Sequence, residues 1–243
     1  MGIRAANRAG VEETTAKPFI VAIDGPAGAG KSTVARQVAA ALGLTYLDTG
    51  AMYRAVAWKA LRAGVDTTDE AALADLAQQT EIAFSPVVPD GTQRVWVDGE
   101  DVTTEIRAPA VSNLTSAIST LPAVRRVLVA QQRQIGLGSP KGVVVEGRDT
   151  GTVVFPQAQV KVFLTASPEE RARRRAAELE QLGLPVDYAR ILADQRERDE
   201  RDSRRAASPL VAAPDAARLD TDRLTVDEAV ARILSLCREK RTG

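Results

Sequence analysis

Histidine is absent from all 243 residues. That removes His-based catalytic triads, imidazole metal sites and histidine general acid–base chemistry. Cysteine occurs once, at Cys237, so no disulfide can close within the chain, and a reducing, cytoplasmic setting is expected. Neither sign of charge is in excess: 32 basic residues balance 32 acidic ones. No global field therefore draws the chain to nucleic acid or to an anionic membrane. No apolar run approaches the roughly 20 residues that span a bilayer. Residues 1–17 have no hydrophobic core and include Glu12 and Glu13. They fit neither a signal nor a transit peptide and read as a disordered extension. Lysine is scarce too. Only Lys17, Lys31, Lys59, Lys141, Lys161 and Lys240 occur, so the basic residues are mostly arginine. Genome composition alone can produce that bias, and only the placement of an arginine carries an argument.

What is present begins with a glycine loop. Gly25, Pro26, Ala27, Gly28, Ala29, Gly30, Lys31, Ser32 and Thr33 fit G-x-x-x-x-G-K-[ST]. Before the loop, Phe19–Asp24 is short and rich in β-branched residues, as a buried strand is. After it, Val34, Val38 and Leu42 recur at i, i+4, i+8, with Ala35 and Ala39 widening the stripe of a helix over Ser32–Leu42. Strand, glycine loop and helix form a phosphate cradle. Backbone N–H groups close around an anion, and the helix N-terminus adds about half a positive charge. Lys31 can reach the β- and γ-phosphates, and a hydroxyl from Ser32 can ligate Mg²⁺.

Further strands are expected at Leu44–Asp48, Gly142–Glu146, Val160–Ala166 and, more weakly, Ala217–Asp220, with helices between them. The alternation predicts an α/β fold with a parallel sheet and ligands beyond the carboxyl ends of its strands. Glu81–Ile106 breaks the rhythm. Ile82–Phe84, Arg94–Val97 and a short tail to Val102, with turns at Asp90-Gly91 and Asp98-Gly99, predict a small antiparallel insert. From Pro168 to Arg205 two charged helices flank Gly183-Leu-Pro185. Arg171, Arg174 and Arg175 share a face of the first; Arg198, Asp202 and Arg205 share one of the second.

Two strand ends concentrate chemistry. Leu47-Asp-Thr-Gly-Ala-Met-Tyr-Arg54 is either an ordinary helix start capped by Asp48 or Thr49, or a site where Arg54 grips a second phosphate and Tyr53 walls a nucleotide. Val143-Val-Val-Glu-Gly-Arg-Asp149 puts two carboxylates and a guanidinium at the mouth of the sheet. There Glu146 is expected to hold the water shell of Mg²⁺, and Arg148 to face the moving phosphate.

Five segments follow in order: the glycine loop, Leu47 to Arg54, Ser116 through Leu121-Pro122 to Arg125-Arg126, Gly147-Arg-Asp-Thr-Gly-Thr-Val-Val-Phe-Pro156, and Arg196 to Arg205. The series resembles bacterial cytidylate kinases over essentially everything after Lys17. The resemblance implies the nucleoside monophosphate kinase fold. Residues 18–47, 117–170 and 198–243 would be the P-loop core. Residues 48–116 would be a monophosphate-binding domain carrying the insert at 81–106, and 171–197 a helical lid. It implies ATP with Mg²⁺ as donor, CMP or dCMP as acceptor, and a monomer. By position, Ser116, Arg125 and Asp149 would read cytosine. Arg54, Arg148 and Arg205 would hold the acceptor phosphate, and Asp202 with Arg198 the ribose. Lys31, Arg148, Arg174, Arg175 and Arg205 would surround the transferred group, with Arg174 and Arg175 as lid arginines. Two positions depart from the pattern. Glu146 stands where many relatives have Asp. Ser32 stands where some have Gly, so the metal hydroxyl is either Ser32 or Thr33.

Cytosine also makes physical sense here. Its N4 amino group would donate to Asp149, while Arg125 and Ser116 donate to N3 and O2. Uracil reverses two of those contacts, each costing roughly 1–3 kcal/mol when buried, or about a hundredfold together. Rival readings are another small P-loop kinase for adenylate, thymidylate or shikimate, a GTP-binding switch, and a nucleic-acid module. No lysine stands in the Asn/Thr-Lys-x-Asp guanine reader of the switches, and neutral charge weighs against nucleic acid.

Overall fold

The computed structural model describes residues 17–88, 91–181, 183–204 and 208–242. The extension expected over residues 1–17, save Lys17, lies outside them, as do Asp90 and Arg205. In chain order the elements open with β1 (Phe19–Asp24), α1 (Lys31–Leu42), β2 (Thr45–Asp48), α2 (Thr49–Ala63) and α3 (Glu70–Gln78). The insert follows as β3 (Ile82–Phe84), β4 (Val95–Val97) and β5 (Glu100–Asp101). The rest comprises α4 (Pro109–Ile118), α5 (Pro122–Leu137), β6 (Gly142–Gly147), β7 (Val160–Thr165), α6 (Pro168–Gln181), α7 (Tyr188–Ser203), β8 (Ala217–Asp220) and α8 (Val226–Thr242).

Five strands make one parallel sheet in the order β2-β6-β1-β7-β8. Strands β1 and β6 are buried on both faces, so their alternate residues feed two cores. Ile20, Ala22, Leu47, Val143 and Val145 pack toward α2, α3 and α5. Val21, Ile23, Val144, Val162 and Leu164 pack toward α1 and α8. The register sets Asp48 opposite Glu146 on one face of the sheet, and Asp24 opposite Gly147, one residue further on and on the other face. Among the described residues no helix is long and apolar enough to cross a membrane.

Several boundaries shift by one residue from the sequence expectation, three of them for clear local reasons. Helix α1 begins one residue earlier, because Gly30 takes the left-handed conformation (φ 85°) that starts it at Lys31. Strand β6 extends through Gly147, whose missing side chain lets Thr49 and Thr150 close in; a Cβ there would stand 2.6 Å from each. The insert forms as an antiparallel sheet, β3-β4-β5, turned by Asp98 and Gly99 at φ 50° and 83°. Its last strand stops at Asp101, and Val102 turns inward to a small core with Val95, Val97 and Ile106.

Candidate active site

The glycine loop lies against the sheet with no room to spare. A Cβ on Gly25 would fall 1.9 Å from the Leu164 carbonyl oxygen, so no other residue fits. Lys31 is buried, and its Nζ donates to Pro26 O at 2.8 Å across the loop. Burial lowers its pKa to about 7, with the Arg148 charge adding to the effect and Glu146 and Asp24 opposing it. Ser32 faces the same cleft as Lys31, whereas Thr33 is exposed. Of the two candidate hydroxyls, Ser32 is the one that acts on Glu146, opposing the upward shift of that carboxyl.

Asp24 closes the loop from behind. Its carboxylate accepts from Thr150 N (2.7 Å), Thr150 Oγ1 (2.8 Å) and Gly151 N (2.7 Å). These bonds pin a wide turn at Thr150–Val154, closed by Phe155 N donating to Thr150 O. Burial raises the Asp24 pKa against the pull of those donors. Beside it, Glu146 is buried, accepts from the Tyr46 hydroxyl and is raised by burial and by nearby Asp48. The Tyr46 phenol is itself pushed well up by burial and by Glu146, so it is a donor at neutral pH.

A cleft of about 330 Å³ opens from the loop. Asp48 caps α2 by accepting from Ala51 N at 2.8 Å and also takes Arg54 Nη2 at 2.8 Å. Burial would raise Asp48, but Arg54 and the cap outweigh it and hold the carboxyl below its usual range. Arg148 Nε donates to buried Asp202 at 3.0 Å, joining β6 to α7. Arg125 and Asp149 form a buried pair, and Arg125 Nη1 also reaches the Tyr53 hydroxyl at 3.2 Å. Ser116 Oγ accepts from Arg201 Nη1 at 2.8 Å.

The fold thus brings Lys31, Ser32, Asp48, Tyr53, Arg54, Ser116, Arg125, Glu146, Arg148, Asp149, Arg198 and Asp202 to one cavity. Arg174 is set apart, beside Gly30, with Nη2 on Thr221 O at 2.6 Å and Nε on Glu170. Arg175 is not brought in. It lies on the outer side of α6, paired with Glu178 one turn on. Arg205 lies outside the described residues.

Several residues at the site were not singled out from the sequence. Asp24 and Tyr46 carried one weak signal, a polar group at or near the end of an apolar strand. Arg36 and Arg107 line the cleft, and Arg107 helps hold Asp48 low. Arg171 was noted only as part of a charged face. It is buried and donates to Ala166 O, Ala27 O, Gln195 and Asp199, tying α6 and α7 to the glycine loop.

A lysine-bearing phosphate cradle at the head of a parallel sheet, opening on a cleft lined by arginines, defines a phosphotransferase of the P-loop kinase class. A family model described as cytidylate kinase matches residues 21–239. A cytidylate kinase of Pelotomaculum thermopropionicum is 53% identical over 88% of this chain and 94% of its own length. One from Solibacter usitatus is 50% identical over 95% and 97% respectively. A bifunctional pantoate ligase/cytidylate kinase of Synechococcus elongatus is 51% identical over 92% of this chain, which spans 43% of that longer protein. The chain belongs to the cytidylate kinase family.

Proposed function

We propose that the chain transfers the γ-phosphoryl group of ATP to CMP or dCMP, giving ADP and the corresponding diphosphate. The observation that carries this reading is the buried Arg125–Asp149 pair, which shares one cleft with Ser116 and the glycine loop. A carboxylate, a guanidinium and a hydroxyl match the amino group, N3 and O2 of cytosine. All of these groups come from one chain, consistent with a working monomer.

Transfer needs alignment and charge neutralisation rather than a strong base, so a chain without histidine is adequate. An oxygen of the acceptor monophosphate attacks the γ-phosphorus, and the bond to the β–γ bridging oxygen breaks, leaving ADP. Lys31 exchanges the Pro26 carbonyl for donor phosphate oxygens. Arg54, aimed by Asp48, and Arg148, aimed by Asp202, hold the acceptor phosphate and the charge that develops on the moving group. Arg205 is assigned to the same phosphate, and Arg198 with Asp202 to the sugar. Arg174 serves the donor side with the glycine loop, on a lid formed by residues 171–197.

The donor set suits Mg²⁺. Among the described residues no group of three or more acidic or thiol side chains could hold a metal alone. Ser32 and Glu146 offer hard oxygens, and Mg²⁺ in such sites completes its shell with water and substrate phosphate. When bound, the ion would neutralise charge on the β- and γ-phosphates.

A coupled ADP-release assay with CMP, dCMP, UMP, AMP and shikimate tests the reading. CMP and dCMP are expected to be the best acceptors, with UMP about a hundredfold poorer in kcat/KM. Equal efficiency on CMP and UMP would remove Asp149 and Arg125 from base reading. Preference for AMP or shikimate would replace the acceptor altogether.

A further inference from the structure

Tyr46 and Glu146 are separated by 100 residues and meet because β2 and β6 are neighbours. Tyr46 pairs with Val144 and Asp48 with Glu146, so these four residues stand on one face of the sheet. Helix α1, which brings Lys31 and Ser32 to the cleft, covers that face. Tyr46 is buried in the apolar layer beneath it, and its hydroxyl donates to Glu146 Oε1. The main chain of Tyr46 is fastened as well. Gln93 Nε2 donates to Tyr46 O and to Ser85 O, each at 3.0 Å, which ties β2 to the hairpin insert.

Glutamate has one more torsion than aspartate and loses more rotamer freedom when its carboxylate is fixed. A carboxylate offers about four acceptor positions. The Tyr46 phenol fills one and the Ser32 hydroxyl lies in the same cleft, with capacity left over for water. A phenol has a single proton to donate, and this one is committed to Glu146. The contact is therefore a brace on the longer acidic arm.

We infer that Tyr46 is a positioning residue for phosphoryl transfer: it holds one oxygen of Glu146 and so fixes the carboxylate that grips the metal's water shell. The inference rests on the role proposed above for Glu146. It predicts that the tyrosine and the glutamate work as a unit, and that the benefit of the hydroxyl disappears once the carboxylate is gone or shortened.

The test is a double-mutant cycle on the whole chain with a non-hydrolysable ATP analogue. Wild type, Tyr46→Phe, Glu146→Gln and the double variant are titrated with Mn²⁺, and free Mn²⁺ is followed by electron paramagnetic resonance. Tyr46→Phe keeps the ring and should weaken Mn²⁺ binding by on the order of tenfold, while metal-free binding of the analogue stays unchanged. In the Glu146→Gln background the same substitution should have no effect. Glu146→Asp, one methylene short of the phenol, gives a second background in which Tyr46→Phe is silent. Wild-type Mn²⁺ affinity in Tyr46→Phe overturns the brace, and so does an equal loss in all backgrounds, which would mark a purely structural tyrosine. Wild-type affinity in Glu146→Gln is a different failure: it removes Glu146 itself from the metal.

Discussion

Arginine is used in opposite ways at the cleft and on the α6–α7 hairpin. At the cleft three guanidiniums are held by carboxylates from another part of the fold: Arg54 by Asp48, Arg125 by Asp149 and Arg148 by Asp202. On the hairpin Arg173, Arg175, Arg201 and Arg204 pair with glutamates one turn away on their own helix. Breaking a buried pair by removing one partner costs about 3–5 kcal/mol. An exposed helical pair is worth roughly 0.3–0.5 kcal/mol. The cleft is therefore preorganised, and the hairpin arginines can exchange glutamate for phosphate at little cost. Arg171 is the exception that joins the two, because its buried guanidinium anchors the base of the hairpin to Ala27 O.

The comparison breaks most visibly at Arg148. Arg148→Ala should lower kcat by about 10³-fold or more, the scale of an arginine that stabilises a transferring phosphoryl group. ATP binding, read by a separate titration, should hardly change. Loss of ATP binding instead would move Arg148 to the donor side. Next in size is Asp149→Asn. The ratio of kcat/KM for CMP over UMP should fall by about a hundredfold, since the amide can present a donor where cytosine also has one. Because Arg125 then faces no charge in a buried place, urea unfolding should also show a loss of about 3 kcal/mol. An unchanged substrate ratio together with that loss of stability would make the pair structural only.

The sheet was readable because its signals are local. Three β-branched residues before Glu146, the apolar run ending at Asp24 and the stripe through Val34 and Val38 each carry their own period, and the strand ends fall within one residue of expectation. The glycine loop was readable because strand and helix flank it. Asp24 and Tyr46 were not, since their partners lie 126 and 100 residues away. Neither contact can be foreseen until the order β2-β6-β1 is known. Arg171 was noted only as part of a charged face for a related reason. Composition gives its helix a solvated look, while its position one turn into α6 turns it toward the loop. Arg201, 85 residues from Ser116, shows the same limit.

A smaller effect sharpens the same contrast inside the cleft. Lys31 also lines the cleft, but its Nζ bonds the Pro26 carbonyl rather than a carboxylate, and its pKa is lowered to about 7 by burial and by Arg148. In the free protein its side chain is therefore a neutral amine above that pH. Donor phosphates restore the charge, so ATP binding takes up a proton between about pH 7 and the ordinary lysine pKa near 10.4. Affinity should weaken about tenfold per pH unit across that window and be flat below it. Calorimetry at pH 8.5 in two buffers of different ionisation heat should register close to one proton per ATP, and none at pH 6. Absence of uptake at pH 8.5 would mean that Lys31 is already charged in the empty site.

The smallest effect belongs to Arg175. Its pair with Glu178 is about half exposed at both ends, so Arg175→Ala should change stability by no more than about 0.5 kcal/mol. Arg174 is one residue away yet lies beside Gly30 and bonds Thr221, so Arg174→Ala should weaken ATP by about tenfold, the loss of one charge-assisted contact. Measured side by side, the two variants ask whether α6 keeps this face turned to the loop when both nucleotides are bound. A change of twofold or less in kcat for Arg175→Ala means that it does. A tenfold or larger fall means that α6 rotates on closure and delivers the outer arginine to the phosphates. Its exposed glutamate pair would then be a resting place that the hairpin abandons at each turnover.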